Sequence, residues 1–393
     1  MIERQLFFRH LAQTSKAPIT LEIDRAEGIY LFDRSGKKYI DLISGISVSN
    51  VGHRHPKVVN AIKEQVDKHL HLMVYGEYIQ SPQVKLAKLL SDNLPDNLKC
   101  VYFVNSGSEA VEGALKLAKR YTGRSEIVSF KNAYHGSSHG ALSVTGNEEL
   151  KNSFRPLLPD VHFIDYNNKN DLEKITSKTA CVIVETIQGE AGVVLPADDY
   201  LKMLRKKCTE TGTLLILDEI QCGFGRTGKL FAFEHYGIVP DIICLAKAMG
   251  GGMPIGAFIS SKEIMSSLTE NPALGHITTF GGHPVSCVAS LAALEVLLDE
   301  KLVESVTKKE EVFRKSLIHP QIKKITGKGL MLAVHFENAA INKRVIEKCI
   351  QNGLMVDWFL FCDSAMRIAP PLIISETEIK KVCEIILGCI NIL

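Results

Sequence analysis

The chain has 393 residues, 46% of them hydrophobic and 23% charged, an ordinary balance for a globular protein. Its formal charge of +2 offers no basic field for nucleic acid and no reason to seek an acidic membrane as partner. The ten cysteines lie far apart with no CxxC pair, which argues against a disulfide framework or zinc ribbon and suits a reducing compartment.

In chain order, the first stretch, MIERQLFFRHLAQTSK, is charged from residue 3 and lacks the apolar core of a signal peptide. No later run approaches the ~18 apolar residues of a membrane span, so a cytoplasmic location is expected. Residues 19–49 carry short runs with turn signals. DRSGKK fits the connection of a hairpin between GIYLF and KYIDL. A helix is predicted next, because Val58, Ile62 and Val66 recur at i, i+4 and i+8. From about residue 100 the pattern changes: CVYFV, EIVSF, CVIVE, TLLILDE and DIICLA are short apolar runs bounded by turn residues. Amphipathic stretches such as SEAVEGALKLAKRY separate several of them. Continuous apolar strands alternating with helices predict an α/β fold, a mostly parallel sheet with helices on both faces. After residue 284 the chain turns helix-rich and then mixed. The expected layout is a large α/β domain over 50–285 and a smaller α+β domain built from both ends, 1–49 and 286–393.

Ligands of open parallel sheets collect beyond the carboxyl ends of the strands. NSGSEA follows CVYFV, where Ser106 and Glu109 have the spacing of a capping box. Gly107 and Ser108 then place backbone N–H groups at the positive end of a helix, a phosphate site in waiting. Asp218 ends TLLIL, and a carboxylate there is costly without a partner. Lys247 follows DIICLA, with three glycines shortly after it; a buried ammonium either finds a partner or loses its proton. A phosphate cradle, an acid and a desolvated amine suit pyridoxal phosphate, whose aldehyde bonds to a lysine and whose ring nitrogen needs an acid.

Two other patterns carry less. GFGRTG (223–228) matches GxGxxG, but five residues separate it from its strand and the next acid, Glu234, comes too early for a dinucleotide fold. His53/His55 and His135/His139 lack an HExxH or Cys/His cluster and are read as non-ligands, so no metal is expected.

The segments FVNSGSEAVEGALKLAKRYTGR, YHG, VETIQGEAGVVLPADDYL, LILDEIQCGFGRTGK, DIICLAKAMGGGMPIGAF, TTFGGHP and MRIAPPL, in that order, resemble the class-III aminotransferases. These include the ornithine, acetylornithine and 4-aminobutyrate enzymes. The resemblance implies the pyridoxal-phosphate transferase fold of type I and a homodimer with shared active sites. It implies Lys247 as the Schiff-base lysine, Asp218 as partner of the ring nitrogen and Gln221 as partner of the ring oxygen. Ser106, Gly107 and Ser108 match the phosphate cradle, Tyr134 the aromatic residue on the ring, and Thr279 a threonine reaching the neighbouring subunit's phosphate. Glu185 matches a supporting position beside the cofactor. Arg367 matches the arginine for a substrate carboxylate, and Glu190 the glutamate that covers it until a carboxylate arrives.

Four positions depart from the family pattern. Ser137 stands where many relatives have an arginine for a distal carboxylate, and Ile46 where the ornithine enzymes have a substrate tyrosine. Thr186 replaces a proline and His283 an asparagine. A less charged pocket at Ser137 and Ile46 favours a neutral or cationic donor. The expected reaction is ping-pong transfer of a terminal amine, from an amino acid or diamine, to 2-oxoglutarate or pyruvate. An aminomutase, a phospho-lyase or a non-catalytic relative of the same fold are the alternatives.

Overall fold

A computed structural model describes residues 3–73, 76–197 and 199–392. The N-terminal strands are β1 (Ile23–Glu27), β2 (Tyr30–Asp33) and β3 (Lys38–Asp41). β2 and β3 form the predicted hairpin. Its turn closes because Asp33 Oδ1 accepts the backbone N–H groups of Ser35 and Lys37, both at 2.9 Å, an Asx-type turn.

Seven strands then build the central sheet. They are β4 (Cys100–Val104), β5 (Glu126–Phe130), β6 (Val161–Ile164), β7 (Thr179–Glu185), β8 (Leu214–Asp218), β9 (Ile242–Leu245) and β10 (Gly256–Ser260), in the order β4-β10-β9-β8-β7-β5-β6. All five runs expected to be strands are strands. The sheet is mostly parallel, with one departure: β10 runs antiparallel to both β4 and β9. It returns directly after the turn that carries Lys247, so no crossover helix is needed.

These strands are apolar throughout because both faces are covered. Along β7, Val182 and Val184 join one core with Leu215, Leu217, Ile243 and Leu245. Cys181 and Ile183 point the other way, into a second core with Ile216, Cys244 and Phe258. The helix Gly107–Thr122 covers that second face with Ala110, Val111, Ala114, Leu117 and Ala118. Helix Pro284–Asp299 packs on both Pro56–Lys68 and Ser81–Asp92, and the three supply Val58, Leu86, Leu90, Leu294 and Leu297 to the first core. Each such aliphatic side chain contributes about 1.5–3 kcal/mol on full burial.

The rest of the chain forms two small sheets. Strands β11 (Lys324–Lys328), β12 (Met331–His335), β13 (Leu354–Met355), β14 (Trp358–Phe359) and β15 (Cys362–Ile368) follow in sequence. One sheet has the order β11-β12-β15-β14, and β13 pairs in parallel with β3 to complete the N-terminal sheet. The two ends of the chain therefore meet in one sheet. β15 carries Arg367 to the carboxyl edge of the central sheet.

Candidate active site

The carboxyl ends of β4, β7, β8 and β9, together with the loop after β5, surround a cavity of about 470 Å³. Its lining includes Ser106, Gly107, Ser108, Tyr134, His135, Glu185, Asp218, Gln221 and Lys247. Nine of the sequence-derived candidates and neighbours thus share one space, within the usual size range of a cofactor site.

The helix Gly107–Thr122 begins at this cavity. Ser106 Oγ accepts from the Glu109 N–H at 3.2 Å, so Ser106 is its cap. The capping box is only half of the expected one, because the Glu109 carboxylate bonds the Asn105 N–H and side-chain amide, both at 2.9 Å, rather than that of Ser106. The first-turn N–H groups of a helix have no intrahelical partners and favour an anion. β10 starts against this cap. A Cβ on Gly256 would lie 2.4 Å from the Ser106 carbonyl oxygen, so only glycine permits the approach.

Asp218 and Glu185 end neighbouring strands and are register partners. Asp218 Oδ2 lies 2.7 Å from His135 Nδ1, and Oδ1 accepts the Ile220 N–H at 3.0 Å. The other His135 nitrogen, Nε2, is buried without a hydrogen-bond partner. Glu185 accepts the N–H groups of Tyr134 (3.2 Å) and Gly189 (3.0 Å). Burial, with Asp218 alongside, pushes the Glu185 carboxyl well above its ordinary value. Lys247 sits in the turn after β9 with φ of +49°, a left-handed conformation that costs a lysine about 1 kcal/mol or more. Burial lowers its ammonium below the ordinary lysine value. No carboxylate lies within 4 Å of its nitrogen among the described residues.

Next to this cavity, Glu190 and Arg367 form a two-point ion pair. Arg367 Nη1 donates to Glu190 Oε1 at 3.0 Å and Nη2 to Oε2 at 2.9 Å. Gln221 Nε2 touches the same Glu190 Oε1 at 3.4 Å and links the pair to the cavity wall. Both side chains are buried. Burial pushes Glu190 up, but the guanidinium outweighs it and holds the carboxyl below its ordinary value. Arg367 has a second carboxylate, Asp357, whose Oδ1 accepts Nε at 3.0 Å. Burial raises Asp357 to about 6 despite the arginine.

The remaining candidates lie at the rim or outside it. Ser137 is exposed; its N–H donates to Ser108 Oγ at 3.2 Å, and its hydroxyl lies 3.3 Å from the Tyr134 hydroxyl. Thr279 is exposed and does not line the cavity of the single chain. Ile46 sits in a left-handed turn with φ of +64°, and Val48, two residues on, lines the cavity in its place. Sequence reasoning missed two polar partners. His135 was set aside with the non-ligand histidines, although its position directly after Tyr134 was a usable signal. Asp357 lies in no recognised segment.

Comparison with known proteins gives a consistent family. The class-III aminotransferase profile matches residues 11–390. An acetylornithine aminotransferase of Archaeoglobus fulgidus is 42% identical over 98% of this chain and 99% of its own length. A putrescine aminotransferase of Pectobacterium atrosepticum is 40% identical over 90% of this chain and 79% of its own. Among solved structures, the ornithine aminotransferase of Toxoplasma gondii superimposes with a TM-score of 0.92, covering 99% of this chain and 94% of that one at 30% identity. The chain belongs to the class-III aminotransferases, pyridoxal-phosphate-dependent enzymes that move an amino group from a donor to a 2-oxo acid.

Proposed function

We propose that this enzyme takes the terminal amine of an amino acid or diamine and delivers it to 2-oxoglutarate or pyruvate, in two half-reactions at one site. The observation that carries the reading is the closed Glu190–Arg367 pair beside the cavity that holds Asp218 and Lys247. The relatives named for acetylornithine and putrescine support the class of donor.

The donor set fits pyridoxal phosphate: an acid, an amine and a helix N-terminus line one cavity. When bound, that cofactor supplies an electron sink and a carrier for the amino group. Lys247, whose ammonium is held below the ordinary lysine value by burial, is the amine that would hold the cofactor. The same amine would serve as the base that moves a proton at the substrate's reacting carbon. Asp218, oriented by His135 and the Ile220 N–H, would keep a proton on the ring nitrogen. Ser106, Gly107 and Ser108 would bind the phosphate through the start of their helix, and Tyr134 would flank the ring. Gln221 would reach the ring oxygen, and Glu185, which holds the backbone of Tyr134 and Gly189, would shape the wall around the ring. In the donor half-reaction Glu190 neutralises Arg367. In the acceptor half-reaction Glu190 withdraws and the guanidinium takes the substrate carboxylate in two parallel hydrogen bonds.

A homodimer is part of this proposal. Ile79 is 97% exposed in the single chain, and Ile277 and Phe280 flank the exposed Thr279. A second copy covering these side chains would bring Thr279 to its neighbour's phosphate. The division into a large domain over 50–285 and a small one from both ends, and a cytoplasmic location suited to ten free thiols, complete the reading.

The test is a half-reaction assay on the holoenzyme, following the cofactor's absorbance with ornithine, acetylornithine, 4-aminobutyrate, lysine, simple diamines, glutamate and alanine. Conversion by a terminal amine, reversed by 2-oxoglutarate or pyruvate, is expected. Lys247→Ala is expected to bind cofactor and convert nothing. The proposal fails if neither glutamate nor alanine converts the cofactor, or if the lysine variant still turns over.

A further inference from the structure

Arg367 is faced by more negative charge than its role as a carboxylate receptor requires. Trp358 in β14 lies opposite Met366 in β15, which sets Asp357 facing Arg367. The Arg367 N–H donates to the Asp357 carbonyl at 2.9 Å, and the Asp357 carboxylate takes Nε at 3.0 Å. The guanidinium is held further by the Trp358 carbonyl, 3.3 Å from Nη2, and by the Phe359 ring, 4.4 Å away. The same short segment reaches Glu190, because the Leu360 N–H donates to Glu190 Oε2 at 3.1 Å. One cation therefore serves two carboxylates, with Asp357 on the Nε edge and Glu190 on the Nη edge.

This arrangement changes what opening the pair costs. With Glu190 alone, withdrawing it would leave an uncompensated buried cation, which strongly demands a replacement anion. With Asp357 in place, Arg367 stays paired on one edge whether or not Glu190 is there. An incoming carboxylate then meets a guanidinium already half neutralised. Among the described residues, Lys247 is the one lysine or arginine lining the cavity, and it forms no ion pair with Asp357 or Glu190.

Resting on the aminotransfer reading above, we propose that Asp357 is the positioning residue that sets donor specificity: it aims the Nη edge of Arg367 at the substrate and holds surplus negative charge there. The site then favours a primary amine whose reacting carbon bears no carboxylate, and grips the carboxylate of a 2-oxo acid or of glutamate only weakly. Charge at this spacing acts over a few ångströms of partly desolvated protein, enough for about a tenfold effect.

Asp357→Asn separates the two roles, because its amide oxygen still accepts from Nε while the charge is gone. In this variant the KM for 2-oxoglutarate and the Kd for glutarate, read by the absorbance of the bound cofactor, are each expected to fall about tenfold. The kcat with 1,4-diaminobutane is expected to move much less. Asp357→Glu, which keeps the charge, should stay near the wild-type values. Asp357→Ser, smaller and uncharged, should repeat the asparagine result and serves if asparagine does not fold. The proposal is overturned if glutarate binds the uncharged variants no more tightly than wild type, or if the glutamate and asparagine replacements shift binding alike. It is overturned too if kcat falls equally for every substrate. If the wild type converts no terminal amine, the aminotransfer reading fails instead, and the glutarate titration still reports on Asp357.

Discussion

The imidazole of His135 has one nitrogen on Asp218 and the other without a partner, so replacing it acts on the carboxylate first. His135→Phe keeps a ring in the buried space and removes the donor. Asp218 is then held only by the Ile220 N–H. Groups that orient a reacting residue are typically worth about 10–100-fold in activity, and a fall of that size in kcat is expected. His135→Asn puts an amide nitrogen close to the lost Nδ1 and should restore much of it. The pH titration of the bound cofactor's absorbance checks the cause, since it shifts only if Asp218 no longer controls the ring nitrogen. Equal losses in both variants would mean that the ring merely fills space. Legibility at this scale followed sequence distance. Lys247, Asp218 and Ser106 were readable because each lies within two residues of the end of its own strand. His135 reaches an aspartate 83 residues away, and Asp357 finds its arginine through strand pairing, which no local pattern encodes.

At the scale of elements, the helix Gly107–Thr122 must lie close against the central sheet to aim its N-terminus at the cavity. Gly113 makes this possible. A Cβ there would stand 2.2 Å from Phe258 Cε1 and 2.6 Å from Cδ1. Phe258 is fully buried and stacked on Tyr102 at 4.6 Å, so its ring has little room to yield. Gly113→Ala gains up to ~1 kcal/mol of helix propensity but incurs an overpacking cost of about 1–3 kcal/mol. A lower urea midpoint is expected, by about 1 kcal/mol of stability. The double variant with Phe258→Leu should recover most of it, and a single variant as stable as wild type would show that the sheet face can shift. The strands were legible because apolar runs of four to seven residues between turn signals leave few alternatives. The antiparallel course of β10 was not, because GAFIS reads the same in either direction and its pairing depends on Gly256 meeting Ser106 across the site.

For the whole molecule, the acid that follows Asp218 links the site to overall stability. Glu219 is fully buried and accepts from Thr186 Oγ1 (2.6 Å) and from the N–H groups of Ala232 (2.7 Å) and Phe233 (2.8 Å). It thereby ties β7 and β8 to the 230–235 segment. Burial outweighs these donors and raises its carboxyl to about 7. The folded state therefore binds the Glu219 proton more tightly than the unfolded chain, whose carboxyl titrates at about 4.3. The stability this proton contributes is fully present below the unfolded value and is lost as pH rises through about 7. Glu219→Gln is neutral at every pH and of the same size, but turns one amide N–H toward a backbone donor, so it should be less stable than wild type in acid. Every other titrating group is common to both proteins. Their difference in unfolding free energy, from urea titrations of the holoenzymes, should therefore shrink between pH 5 and pH 8 by roughly 2–3 kcal/mol. A difference that stays constant across that range would place the Glu219 carboxyl at an ordinary value, with its hydrogen-bond donors outweighing its burial.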